Sequence, residues 1–190
     1  MTAPDQSFIE RVARTIALPG PNAPRGVRHS ILAQAARVHG QRPMGDEATA
    51  PTGFDPNAVA LFEGTVESAY LAATSDGPID ATEDGILRAI VGIGFDGKVS
   101  QEQMAALFEG LVAARKDEGP ERRVEHIAQM IGNKDHQQEV LRIAAIMAVA
   151  SGGVRPEERV FLERLAQGFK LTTSAVDKAI KEAEEALRSI

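Results

Sequence analysis

Three carboxylates surround one short turn in this chain. Asp76 stands immediately before Gly77, and Asp80 and Glu83 open the apolar-periodic stretch that follows. Asp84 is near enough to add a fourth. Oxygen donors gathered at this spacing could hold a hard divalent cation, Ca²⁺, Mg²⁺ or Mn²⁺. The same residues have a second reading. Asp80-x-x-Glu83 is a capping box, which needs no metal and stabilises a helix start by roughly 1 kcal/mol. Both acids also suit the positive end of a helix dipole. The sequence leaves both readings open: a cation site at Asp76, Asp80, Glu83 and Asp84, or a set of helix caps.

The turn is written twice, with Gly77 and Gly152 seventy-five residues apart. The second copy runs Ala150-Ser151-Gly152-Gly153-Val154-Arg155-Pro156-Glu157-Glu158. Each copy is a helix end, a Gly turn, a hydrophobic residue and a helix start carrying Glu. A repeat of this length is a supersecondary unit and sets architecture. The first copy also overlaps a calcium-loop pattern, with Gly77 at the sixth position, Asp80 at the ninth and Glu83 at the twelfth. Ala72 and Thr74 then fall where that loop needs oxygen-rich ligands, and Pro78 interrupts it. A working loop of that type is not expected, and Asp96-Gly97 fails in the same way, with Gly92 and Gly94 at ligand positions.

Helices must position these turns. Apolar residues at spacings of three and four predict helices over 5–17, 27–39, 57–74, 81–93, 100–116, 120–131, 136–151, 156–168 and 174–187. Ser100-x-x-Gln103 marks one start as a capping box. Asp55 is the expected cap of the helix beginning near Pro56, and Gly132-Asn133 the expected stop after 131. Pro19, Pro21 and Pro24 break the chain after the first helix, and residues 40–57 read as a polar linker rich in Gly and Pro. The expected organisation is an N-terminal extension, 1–55, and a helical domain, 56–190, with repeats near 57–116 and 136–190. The amphipathic segment 5–17 is expected to dock on that domain or on a protein partner. No stretch alternates with period two, so the fold class is all-α.

Composition narrows the function. Only 4% of residues are aromatic, no Trp occurs, and there is no Cys, which removes disulfides, thiolate metal sites and cysteine nucleophiles. Net charge is −6. Residues 1–55 carry six Arg against five acids, and the remainder fifteen basic against twenty-two acidic residues. An acidic body argues against nucleic-acid binding, which needs clustered Lys and Arg. No apolar run approaches the ~20 residues of a membrane span, and the first residues lack a secretory signal, so a cytoplasmic protein is expected. His29, His39, His126 and His136 form no His-x₃-His pair. Gly92-x-Gly94-x-x-Gly97 follows a helix rather than a strand, which rules out a dinucleotide site. No nucleophile motif of the G-x-S-x-G type occurs, and no enzyme is expected.

The stretch from Ala73 to Glu83, with Asp76-Gly77, Ile79, Asp80 and Glu83, resembles the signature of the tellurite-resistance TerB-like family. Ala150 to Ala166, through Pro156-Glu157-Glu158-Arg159, resembles the same signature continued. The resemblance covers roughly residues 57–187. It implies an all-helical fold with pseudo-twofold halves, and a place in a bacterial stress system that handles tellurite. It also implies metal binding at the acidic turn positions and work with protein partners, some membrane-linked. On this motif the first copy keeps Asp76, Asp80 and Glu83. In the second, Ser151 and Arg155 replace two of the three, and Glu158 alone is retained. Arg155 puts a cation where a cation ligand is expected, so the second site reads as lost or repurposed. An interaction scaffold without metal, its turn acids serving only as caps, is the alternative.

Overall fold

The computed structural model describes residues 5–20, 29–39, 56–94 and 99–188. Among them the regular structure is entirely α-helical. The helices are α1 (Gln6–Ala17), α2 (Ile31–His39), α3 (Pro56–Ala73), α4 (Ala81–Gly94), α5 (Gln101–Glu118), α6 (Pro120–Met130), α7 (Lys134–Ala150), α8 (Pro156–Gly168) and α9 (Thr173–Arg188). The cap expected at Asp55 and the connection over 95–98 lie outside the described residues.

Helix starts follow local chemistry. Asp5 accepts hydrogen bonds from the Ser7 and Phe8 amides, and Ser100 and Gln103 complete the reciprocal box expected of them. Two starts differ from the sequence reading. The segment before α2 is not helical at His29 and Ser30, because the Ser30 hydroxyl accepts from the Ala33 amide and caps the helix there. Asn133, expected only as part of the stop after 131, where α6 does end, also caps α7, accepting from the amides of Asp135 and His136. Short polar side chains compete for backbone donors at whichever helix end lies nearer, so a stop signal and a start signal look alike in sequence.

The centre of the fold is α3 against α7. Both are buried almost all round, as a helix with apolar residues on every face must be. Ala69, Ala72 and Ala73 in α3 and Ala144, Ala145 and Ala148 in α7 are buried, and small side chains let helix axes approach closely. Around this pair, α2, α4, α6 and α8 lie on α3, and α8 and α9 lie on α7. Helix α1 lies mainly on α4 and buries Ile9, Val12, Ala13 and Ile16 in the same core. Its approach is tight: a Cβ at Gly85 would stand 2.6 Å from Ile9 Cδ1.

Helix α5 is the peripheral element. It has no fully buried residue, and Met104, Leu107, Phe108 and Leu111 cover the core only partly. The Arg88 guanidinium, 5.0 Å above the Phe108 ring, tethers it through a cation–π contact. No described helix is long and apolar enough to cross a membrane.

Candidate functional site

The two Gly turns meet. Each follows a central helix and feeds a helix that begins with a buried Glu. In the first, Asp80 Oδ1 accepts from the amides of Thr82 at 2.7 Å and Glu83 at 2.8 Å, and Glu83 Oε2 accepts from the Asp80 amide at 2.8 Å. This is a complete capping box, in which side chains occupy the donors that a helix start leaves unpaired. In the second, Glu158 Oε2 accepts from the Arg155 amide at 2.6 Å, and the Ser151 hydroxyl lies 3.2 Å from Glu158 Oε1. Arg155 has no side-chain acceptor to return the bond, so half of the box is missing. Gly152 and Gly153 carry the second turn at φ 115° and 108°, a region that side-chain-bearing residues avoid.

Asp76 and Arg155 join the turns. The Asp76 carboxylate, only 8% exposed, receives the Arg155 guanidinium from the other copy. The residue that departs from the motif in one copy is thus the counter-ion of the residue retained in the other. Asp84 bonds Arg88 at 2.7 Å, the same arginine that covers Phe108. The four candidate ligands therefore divide. Asp80 and Glu83 serve the backbone, while Asp76 and Asp84 each hold an arginine. Among the described residues, no three His, Asp or Glu side chains come together in a group able to hold a metal ion.

Glu83 and Glu158 are both buried. Burial pushes the Glu83 carboxyl above its ordinary value against the lowering hydrogen bond from the Asp80 backbone, and the charges of Asp80 and Glu158 add to the rise. Burial likewise raises Glu158, against hydrogen bonds from the Arg155 backbone and Ser151 and the nearby Arg155 charge. Because these folded-state pKa values are raised, protonation favours the fold. That stability is fully present below the unfolded carboxylate pKa and is lost as pH rises through the folded one. Gln retains the capping pattern without the charge. Glu158→Gln is therefore expected to melt above the parent protein at pH 7, with the gap closing as the pH falls toward 4. Glu158→Ala, which strands the Arg155 amide, is expected to lose about 1 kcal/mol at pH 4 and less at pH 7, where the parent carries the buried charge. Thermal melts across that range decide; a Gln variant less stable at pH 7 than at pH 4 relative to the parent contradicts the assignment.

Beside the joined turns, a groove of about 360 Å³ runs between the end of α3, the α5–α6 corner and α8. Leu71, Val124, Val160 and Phe161 give it an apolar lining, and Val160 remains 47% exposed. Arg115 stands at one side. Its Nη2 donates to the Thr74 carbonyl oxygen at 2.9 Å, while its Nε is buried with no partner. Burial raises the nearby Tyr70 phenol, and the Arg115 charge works against that rise. A second cavity, about 380 Å³, lies between α2, α7 and α9. One wall is the buried Glu139–Arg142 pair, bonded at 2.6 and 2.8 Å, from which Arg142 also reaches the Leu18 carbonyl at the end of α1.

Sequence reasoning found the caps but missed Arg115, Arg155 as a partner of Asp76, and the buried Glu67–Arg123 pair between α3 and α6. Glu67 did carry a signal, as the lone charged residue in the stretch Val66 to Ala73. Comparison of the chain with protein-family models, with curated proteins and with solved structures gives no match.

Proposed function

We propose that the chain is a non-enzymatic helical interaction scaffold, in which the acidic turn residues cap helices and lock two turns together. The observation that carries this reading is the division of the four carboxylates. Asp80 and Glu83 are committed to backbone amides, Asp76 to Arg155 and Asp84 to Arg88. A cation at the turn would have to displace those bonds. The groove beside the turns offers what the turns lack, a concave apolar surface of a size that suits a side chain or small segment of a partner. The resemblance to the TerB-like family belongs to the same proposal, and supplies its setting: a cytoplasmic stress response to tellurite, with protein partners that include membrane-associated ones. Nucleic acid is not among them, given the acidic body.

Calorimetric titration tests the central point. Ca²⁺, Mg²⁺ and Mn²⁺ are each expected to produce no heat beyond dilution with the wild-type chain. Saturable binding that disappears in the Asp80→Ala, Glu83→Ala double variant would replace the scaffold reading with a divalent-cation site.

A further inference from the structure

We propose that the outward face of α5 pairs with α5 of a second copy of this chain, the two helices running antiparallel about a two-fold axis beside Val112. Self-association goes beyond the scaffold reading, which stands on the capped turns whether or not α5 pairs.

The face is uncovered in the single chain. Met104, Leu107, Phe108 and Leu111 pack toward the body, while the opposite side of the helix carries Ala105, Glu109, Val112, Ala113 and Lys116, all exposed. Val112 leaves 52% of its surface in water. Apolar and small residues thus occur on both sides of α5, a pattern that suits a helix covered on both sides. Covering Val112 and the neighbouring alanines removes apolar surface from water, and their small size lets a second helix come close.

Charge identifies that second helix. Glu109 and Lys116 stand three residues before and four residues after Val112, on the same face of the helix. Among the described residues neither side chain has an ion-pair or hydrogen-bond partner. They do not reach each other, because seven residues of helix hold them about 10 Å apart. On α9, by contrast, opposite charges lie four apart, and Lys178–Glu182, Lys181–Glu185 and Arg188–Glu184 pair within the helix. An acid, a valine and a base in that order are complementary to the same three read backwards. An antiparallel copy sets Val112 against Val112, Glu109 beside the copy's Lys116, and Lys116 beside its Glu109. A two-fold pair is the closed form that such a self-complementary patch takes. The charges next to the patch do not compete, since Arg115 turns to the Thr74 carbonyl and Glu118 to Arg123. Exposed ion pairs add little affinity but fix register and orientation. The contact is one helix wide, at the small end of specific interfaces, so the association is weak and reversible.

Sedimentation velocity of the full chain, from micromolar to millimolar concentration, is expected to show a monomer–dimer equilibrium. Glu109→Lys and Lys116→Glu, taken singly, set like charges together at both symmetric contacts, and each is expected to weaken the dimer at least about tenfold. An equimolar mixture of these two variants restores both attractions and is expected to dimerise at least as well as the wild type. All three positions are exposed, so circular dichroism is expected to stay at wild-type values. The chain has no Cys, which gives a second readout. Val112→Cys is expected to form a disulfide-linked dimer under mild oxidation, whereas Val160→Cys, also exposed but on α8, is expected to remain largely monomeric. A wild-type chain that stays monomeric throughout overturns the proposal. So does a dimer indifferent to both charge reversals, or a mixture of the two variants that fails to associate.

Discussion

Deleting residues 1–54 is expected to leave a chain that no longer unfolds cooperatively. The segment reads as an appendage by composition, since Pro- and Gly-containing stretches flank its two helices. Its apolar residues are nevertheless integral to the core. Ile9, Val12, Ile16 and Leu32 are each exposed by 3% or less. Burial of side chains of this size contributes roughly 1.5–3 kcal/mol each, so the four together supply roughly 6–12 kcal/mol as an upper bound. That equals most of the ~5–15 kcal/mol by which a domain is stable at all. Removing α1 also uncovers α4, where Ile86, Leu87 and Ile90 are buried. Urea titration followed by circular dichroism would show a broad, shallow transition in place of a sigmoid. Val12→Asp probes the same contact within the full chain by burying an unpaired charge, and is expected to lower the melting temperature strongly. A truncated chain that unfolds at the parent's urea midpoint would show that α1 and α2 add nothing to the stability of the rest.

The legible parts of this protein are those encoded locally. Apolar spacing located every described helix, because a helix buries one face wherever its residues recur with the right period. The Asp80–Glu83 box was legible for a related reason: both partners lie within one turn. What sequence could not supply was pairing over distance. Asp76 and Arg155 are 79 positions apart, and nothing near either residue specifies the other. Taken alone, Arg155 reads as damage to a cation site, but beside Asp76 it is a cross-link between two turns. The same limit hid Arg115, whose side chain reaches back to the Thr74 carbonyl 41 positions earlier. Among the elements, α5 is the instructive case. Its apolar residues predict a helix correctly, yet none is fully buried, because periodicity reports a face and not how deeply that face is covered.

Arg123→Ala is expected to destabilise the chain by about 3–5 kcal/mol, the usual cost of leaving one member of a buried ion pair alone. The guanidinium meets Glu67 at two points, Nε to Oε1 at 2.5 Å and Nη2 to Oε2 at 2.8 Å, and reaches Glu118 at 3.2 Å. Arg123 is held in its charged form, first by the hydrogen bond to Glu67, against the effect of burial. Glu67 is 6% exposed within α3, so without Arg123 it would keep its burial and lose its counter-charge. For a chain of this length the penalty corresponds to a fall in melting temperature of roughly 6–20 °C. Replacing both partners by apolar residues, Glu67→Leu with Arg123→Met, is expected to cost less than Arg123→Ala alone, since no charge is then stranded. A single-variant loss within about 0.5 kcal/mol would instead class the pair with ordinary surface charges. The consequence reaches the groove, because the pair ties α3 to α6 and those helices supply Leu71 and Val124 to its lining.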